Sequence, residues 1–252
     1  YPKMFHDDES IKIAAKLNVS HKDFNAMYQE YDRLVKIGRI VEIDKRVKQF
    51  IMRYADGVIV NVGAELDTMF SRMDNGRIRW YNVDMPEIME LRRKMVESRD
   101  REQNIGKSIL DFSWLDSVKK KPGEAILFVC CDVTKYFTDK KLQAFLNAIW
   151  ERFPGAEVLF DVKNSVGRKR ANLKVLTGKK KGSFIKVSID NCTSLMYDWN
   201  IKYRVLYDRA ILNQEDITEM FSSDIARKYR HAIRRKYDKI IQLRLGTERI
   251  EI

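Results

Sequence analysis

The chain is expected to fold as an α/β protein whose mainly parallel sheet is covered by helices on both faces. Three observations predict this. Short, near-continuous apolar runs recur from residue 58 onwards, stretches with helical spacing separate them, and glycine or acidic residues stand where runs end. The 252 residues suffice for a sizeable core, and a composition of 44% hydrophobic and 11% aromatic residues excludes a disordered chain.

Residues 1 to 55 are expected to be helical. "ESIKIAAKLN", "KDFNAMYQEYDRLVKIG" and "EIDKRVKQFIMRYA" carry apolar residues at mixed three- and four-residue spacing. "VIVNV" (58–62), "IRWYNV" (78–83), "IGKSIL" (105–110), "AILFVC" (125–130) and "EVLFD" (157–161) have the run lengths and β-branched content of strands. The intervals "DTMFSRM", "PEIMELRRKMVES" and "TDKKLQAFLNAIWERF" have helical patterns. Residues 163 to 183 form a basic, glycine-containing insertion without a clear period, and "SFIKVSI" after it is compatible with a strand. "TSLMYDW" suits a short helix and "IKYRVLYD" (201–208) a strand. "SSDIARKYRHAIRRKY" suits a helix opened by a Ser/Asp cap, and "KIIQLRLG" (239–246) alternates as a last strand.

No apolar run approaches the roughly 18 residues that cross a bilayer. The segment "YPKMFHDDES" lacks the apolar core of a signal peptide. Cys130, Cys131 and Cys192 are odd in number, and neighbours on a strand point to opposite faces. Buried, reduced thiols in a cytoplasmic protein are therefore expected. The formal charge of +12 concentrates in "KKKPG", "GRKRANLKVLTGKKKG" and "RKYRHAIRRKYDK". Such clusters suit a solvated surface, an anionic ligand or nucleic acid, but aromatics do not interleave with the first two, which weakens base stacking.

Three positions fall at the carboxyl ends of successive expected strands: Gly63, Asp84 and Asp111. An acid about 20 residues beyond a glycine turn is placed to accept hydrogen bonds from a ribose diol. Pro86 suits the first turn of the following helix and holds Asp84 at the strand end. Asp111 beside Phe112 offers an acceptor for an exocyclic amine next to an apolar face, which suits adenine. The turn "GAELDT" has one glycine, and Glu65 would repel the pyrophosphate that a G-x-G-x-x-G turn cradles. An adenosyl ligand without phosphate, S-adenosylmethionine, avoids that conflict. The plainer alternative is a tight strand–helix turn capped by Asp67 and Thr68.

The stretch "VIVNVGAELDTMFSRM...IRWYNVDMPEIMELRR", with "SILDFSWLD" and "FPGAEVLFD" following in order, resembles the leucine carboxyl methyltransferase superfamily. That group includes the tetracenomycin-type polyketide O-methyltransferases. "SRDREQNI" and "W...IKYRVLYDRA" stand where the superfamily places them, so the likeness runs over roughly residues 8 to 246. It implies a class I methyltransferase (Rossmann-like) fold, a seven-stranded, mostly parallel sheet whose last strand is antiparallel. Residues 1–55 would be a helical N-terminal lid on a methyltransferase domain of residues 56–252, with an insertion at about 163–200. It implies S-adenosylmethionine as cofactor and methyl transfer to a carboxylate or to a phenolic or hydroxyl oxygen of a small molecule. No metal is expected, and the basic insertion from Arg168 to Lys181 would attract an anionic acceptor.

Residue by residue, the resemblance makes Gly63 the cofactor-loop glycine, Asp84 the ribose acid, and Asp111 with Phe112 the adenine frame. Lys12 and Arg39 would grip the methionine carboxylate, against a plain reading of both as exposed helix cations. Two positions depart from the superfamily. It usually has a second glycine where Glu65 stands, and an acid–glycine pair where Cys131 and Asp132 precede Val133 and Tyr136. The second change lies beside the transferred methyl, so a non-catalytic methyltransferase-fold binding protein is the alternative. A carboxylate acceptor needs no base, whereas a hydroxyl does, and the candidates are Asp132, Tyr136 and His6. His231 sits in a basic helix and is taken as a surface residue. "FNAMYQEYDRL" and "LMYDW" supply aromatics for core packing or an apolar acceptor pocket. Nucleic-acid methylation ranks below these readings, since the chain lacks an Asn-Pro-Pro-Tyr-type motif after the fourth strand.

Overall fold

A computed structural model describes residues 4–20, 22–23, 28–97, 99–178, 183–199, 202–211 and 222–246. Phe24 and Met27 of the expected second helix, Ile201 of the sixth strand, and Lys179, Lys180 and Lys181 of the basic insertion lie outside the described residues. The strands are β1 (Val58–Val62), β2 (Arg79–Asp84), β3 (Glu102–Gly106), β4 (Ile126–Cys130), β5 (Glu157–Lys163), β6 (Tyr203–Ala210) and β7 (Asp238–Leu245). The helices are α1 (Asp8–Lys16), α2 (Glu30–Arg53), α3 (Met69–Met73), α4 (Pro86–Met95), α5 (Asp139–Arg152), α6 (Ser165–Leu176), α7 (Cys192–Asp198) and α8 (Ser223–Arg235).

The strands form one sheet in the order β3-β2-β1-β4-β5-β7-β6. The first five are parallel, and β7 runs antiparallel between β5 and β6. This is the seven-stranded class I methyltransferase arrangement. Alternate side chains explain why β4 is apolar throughout and β1 is apolar but for Asn61. Val58, Val60, Val62, Phe128 and Cys130 enter one core with Phe145, Leu146 and Ile149 of α5. Ile59, Leu127, Val129 and Leu159 enter the other, against Leu34, Ile43, Val47 and Phe50 of α2 and Tyr229 of α8. Burial on both faces favours apolar residues at successive positions, so no alternation shows, and the buried Asn61 and Asn82 are hydrogen-bonded instead.

β3 lies earlier than the expected 105–110, because polar contacts specify it. Asn82 donates through Nδ2 to Glu102 Oε1 (2.7 Å) and Asn104 Oδ1 (3.0 Å), and Glu102 pairs with the buried Arg92 (2.8 Å). α6 occupies most of the segment expected to lack a period. Its buried contact is Gly167, where an added Cβ would come within 2.3 Å of the Tyr237 carbonyl oxygen, so backbone approach replaces an apolar stripe. Residues 183–189 form no strand, although Val187 and Ile189 alternate into the core. The three cysteines are unbridged, and burial pushes the Cys130 and Cys131 thiols up, which keeps both protonated. Among the described residues no helix is long and apolar enough to cross a membrane.

Candidate functional site

The sheet register sets the first half of the site. Val62 pairs with Val83, so Gly63 and Asp84 are the next residues on adjacent parallel strands. Gly63 has φ +72°, and an added Cβ would lie 2.3 Å from Cγ2 of Val133. The turn after β1 therefore requires glycine for its backbone and for the close approach of the segment after β4. The Glu65 N–H donates to Asp84 Oδ2 (2.9 Å) and the Met85 N–H to Oδ1 (2.7 Å). The Asp84 carboxylate is thus oriented from two sides, and each oxygen keeps a lone pair for a ligand. Beneath the turn, Arg92 donates to the carbonyls of Glu65 (3.2 Å) and Asp67 (2.7 Å). Asp67 also accepts from the Met69 N–H (3.1 Å), the cap contact of the plainer reading, while Thr68 turns to Asp7.

Asp111 follows β3 and accepts from the Ser113 N–H (3.1 Å), opening the 3-10 turn Phe112–Ser117. Its side chain is exposed, and Phe112 packs 6.4 Å from Phe145. The helix α1 docks beside the turn of β1. Asp7 accepts from Arg72 (2.6 Å), which also binds Asp44 through Nε (2.8 Å), and Ser10 Oγ lies 3.0 Å from Thr68 Oγ1. Lys12 is exposed on this helix, and His6 is exposed and paired with Asp8 (2.8 Å). Neither side chain lines the cavity described next.

The second half of the site gathers at the ends of β4 and β5, where Cys130 pairs with Phe160. The next acids along, Asp132 and Asp161, share Arg39 of α2. Arg39 Nη1 lies 2.7 Å from Asp132 Oδ1 and 3.1 Å from Asp161 Oδ2. Asp161 also accepts from the Asp132 N–H (2.6 Å), and Lys135 Nζ binds Asp132 Oδ2 (2.7 Å). Burial works against the Asp132 charge, but Arg39 and Lys135 overcome it and bring its pKa down to about 2. Burial raises Asp161 above the usual carboxylate range, with Arg39 opposing. Lys36, one turn before Arg39 on α2, is pushed down by burial and then by the Arg39 charge.

These groups line a cavity of about 750 Å³ between α2, α6, α8 and the ends of β4 and β5. Tyr28, Tyr31, Tyr136 and Tyr237 supply aromatic wall, and Lys36, Lys135, Lys163 and Arg170 are among its cations. His231 is exposed, as expected, and also borders the cavity, with its Nε2 3.0 Å from Tyr237 Oη. The structure thus gathers Gly63 with Asp84 and Arg39 with Asp132, and Val133 joins the two groups. Asp161, Lys36 and Lys135 were not singled out from sequence. An acid closing the run "EVLFD" was the available signal for Asp161, whereas lysines on basic helices look alike whether they face solvent or a cavity.

Glu65 and Asp132, the two departures from the superfamily pattern, have φ +43° and +61°. Both therefore take the left-handed backbone that favours glycine, with an acidic side chain in its place.

No family model matches the chain. A stretch of 124 residues is 28% identical to the tetracenomycin polyketide synthesis O-methyltransferase TcmP of Streptomyces glaucescens. Over that stretch the chain is similar to this methyltransferase. The aligned stretch is 49% of this chain, so the chain spans about half (45%) of the relative's length. Among solved structures, a DUF574 family protein from Streptomyces avermitilis superposes with a TM-score of 0.61 at 11% identity, covering 94% of this chain and 97% of that one. Magnesium protoporphyrin IX methyltransferase from Synechocystis, with S-adenosylhomocysteine bound, gives 0.56 at 10% identity, covering 95% and 94%. At such identities these likenesses carry the fold alone.

Proposed function

We propose that the protein is an S-adenosylmethionine-dependent methyltransferase that acts on an oxygen of a small, anionic molecule. The placement of Asp84 carries this reading. An acceptor-only carboxylate, held by two backbone N–H groups beside a glycine turn, fits a ribose diol. Asp111 and Phe112 are read as the adenine frame and Gly63 as the point of close backbone approach. Of the two cations expected for the methionine carboxylate, Arg39 is engaged by Asp132 and Asp161 and Lys12 lies exposed on α1, so neither carries the reading. When bound, S-adenosylmethionine supplies an electrophilic methyl group on a sulfonium. The homology to an O-methyltransferase supports oxygen as the acceptor atom.

The protein's own contribution is alignment and exclusion of water, which can be worth on the order of 7 kcal/mol. The tyrosine-lined cavity beside Asp132 suits a planar acceptor, and its cations favour an anionic one. Where the attacking oxygen is a hydroxyl, Asp132 and Tyr136 line the cavity, but the Arg39 and Lys135 ion pairs leave Asp132 a weak base, and the His231–Tyr237 pair stands on the same wall. The helix α1 and the first turns of α2 would act as cover for the crevice.

The reading is tested by incubating the protein with S-adenosylmethionine and a panel of aromatic carboxylic acids and phenols. Formation of S-adenosylhomocysteine that depends on one of these acceptors is expected. Turnover with neither class, in a protein that binds the cofactor, would favour the non-catalytic alternative.

A further inference from the structure

The wall of the cavity nearest the ends of β4 and β5 carries the cations Lys36, Arg39 and Lys135 and the carboxylates Asp132 and Asp161, with Lys163 beside them paired to Asp238. The two carboxylates are committed. Asp161 holds Arg39 and the Asp132 backbone, and Asp132 is divided between Arg39 and Lys135. Lys36 forms no ion pair with a carboxylate among the described residues, and its Nζ sits 4.7 Å from the centre of the Tyr28 ring. Glu65 lies within electrostatic reach of both lysines, but it does not line the cavity.

We propose that Lys36 and Lys135 form an anchoring subsite for the carboxylate of an aromatic acid, and that Asp132 is its internal competitor. The inference rests on the acceptor reading of this cavity. In the ligand-free molecule Asp132 spans Arg39 and Lys135. An incoming carboxylate bridges Lys36 and Lys135, and Asp132 then stays with Arg39 alone. The exchange leaves each of the three cations with a carboxylate partner and requires no buried charge to lose one. Both lysines line the cavity and lie within electrostatic reach of each other, and the Asp132 and Lys135 side chains are each about one-third exposed, at 33% and 32%, while Arg39 is 14% exposed and stays anchored by Asp161. The lowered pKa of Lys36 follows from burial and then the Arg39 charge, which the Asp132 and Glu65 carboxylates do not offset. Tyr28 and Tyr136, against which the two lysines stack, give the aromatic body of such an acid a place to lie.

The probe is benzoate, titrated calorimetrically in the presence of S-adenosylhomocysteine into the wild type, Lys36→Met, Lys135→Met and Asp132→Gly. The glycine variant suits the φ of +61° at that position, so it retains the fold, and melting curves check this for all four. Each lysine variant is expected to weaken benzoate by about tenfold, and Asp132→Gly to tighten it several-fold by freeing Lys135. Affinity for S-adenosylhomocysteine in Lys36→Met is expected to stay within about threefold of wild type, since a true anchor acts on the acceptor. Equal benzoate affinity in wild type and lysine variants, or no benzoate binding to wild type, would overturn the subsite. Tightening of S-adenosylhomocysteine in place of benzoate by Asp132→Gly would overturn the competitor role. Failure of every form to bind S-adenosylhomocysteine would count against the methyltransferase reading, and the benzoate comparison would still decide the subsite.

Discussion

Replacing Gly63 by alanine is expected to destabilise the protein by about 2 to 5 kcal/mol and to remove nucleoside binding. The figure joins the roughly 1 to 2 kcal/mol of left-handed backbone for a non-glycine residue with about 1 to 3 kcal/mol of overpacking. Both apply here, because φ is +72° and the new methyl would lie 2.3 Å from Cγ2 of Val133. Val133 belongs to the segment after β4 and cannot retreat without carrying Cys131 and Asp132 with it. Urea denaturation measures the loss. The Val133→Ala background should restore part of it by removing the clashing methyl, leaving the backbone term. A Gly63→Ala protein as stable as wild type would mean that the turn does not have the conformation described.

Arg39→Met is expected to cost about 3 to 5 kcal/mol, the usual consequence of leaving buried carboxylates without their cation. Arg39 and Asp161 are 14% and 13% exposed, so solvent screening discounts the pair little. The loss should depend on pH. In the wild type, Arg39 stays charged because Asp161 and Asp132 outweigh the burial that opposes it. In the variant, Asp161 keeps the burial that already raises its pKa and loses the opposing charge. A carboxyl whose folded pKa lies above its unfolded value favours the folded state at low pH and loses that contribution as pH rises through the folded value. The variant should therefore lose stability between mildly acidic and neutral pH. The wild-type Asp132 pair should persist until pH falls to about 2. Melting temperatures for both proteins across that range check the sign. A difference between them that does not vary with pH would show that the two carboxylates do not depend on Arg39.

The outcome also shows which physical signals a sequence carries. β1, β2, β4 and β5 were legible because burial on both sheet faces writes a continuous apolar run. β3 was not, since Glu102, Gln103 and Asn104 are placed there by Asn82 and Arg92, and such side-chain pairing has no local period. α6 was hidden because Gly167 makes its buried contact, while Val166, Leu173 and Leu176 remain exposed. At the site, Gly63 and Asp84 were visible as strand-end residues a fixed distance apart. The pairing of Arg39 with Asp132 and Asp161 spans 93 and 122 residues, and no spacing rule reaches that far. Glu65 and Asp132 looked like losses of glycine. Their left-handed backbone is the one a glycine favours, so the turns keep a glycine-like conformation with an acidic side chain.

The most direct measurement is calorimetric titration of S-adenosylhomocysteine into the wild type and Asp84→Asn. The crevice described here predicts micromolar binding to the wild type, weakened roughly tenfold to a hundredfold when the ribose-facing carboxylate loses its charge. The absence of binding to the wild type at millimolar ligand would contradict the account. So would equal affinity of the two proteins, since the nucleoside would then lie away from Asp84.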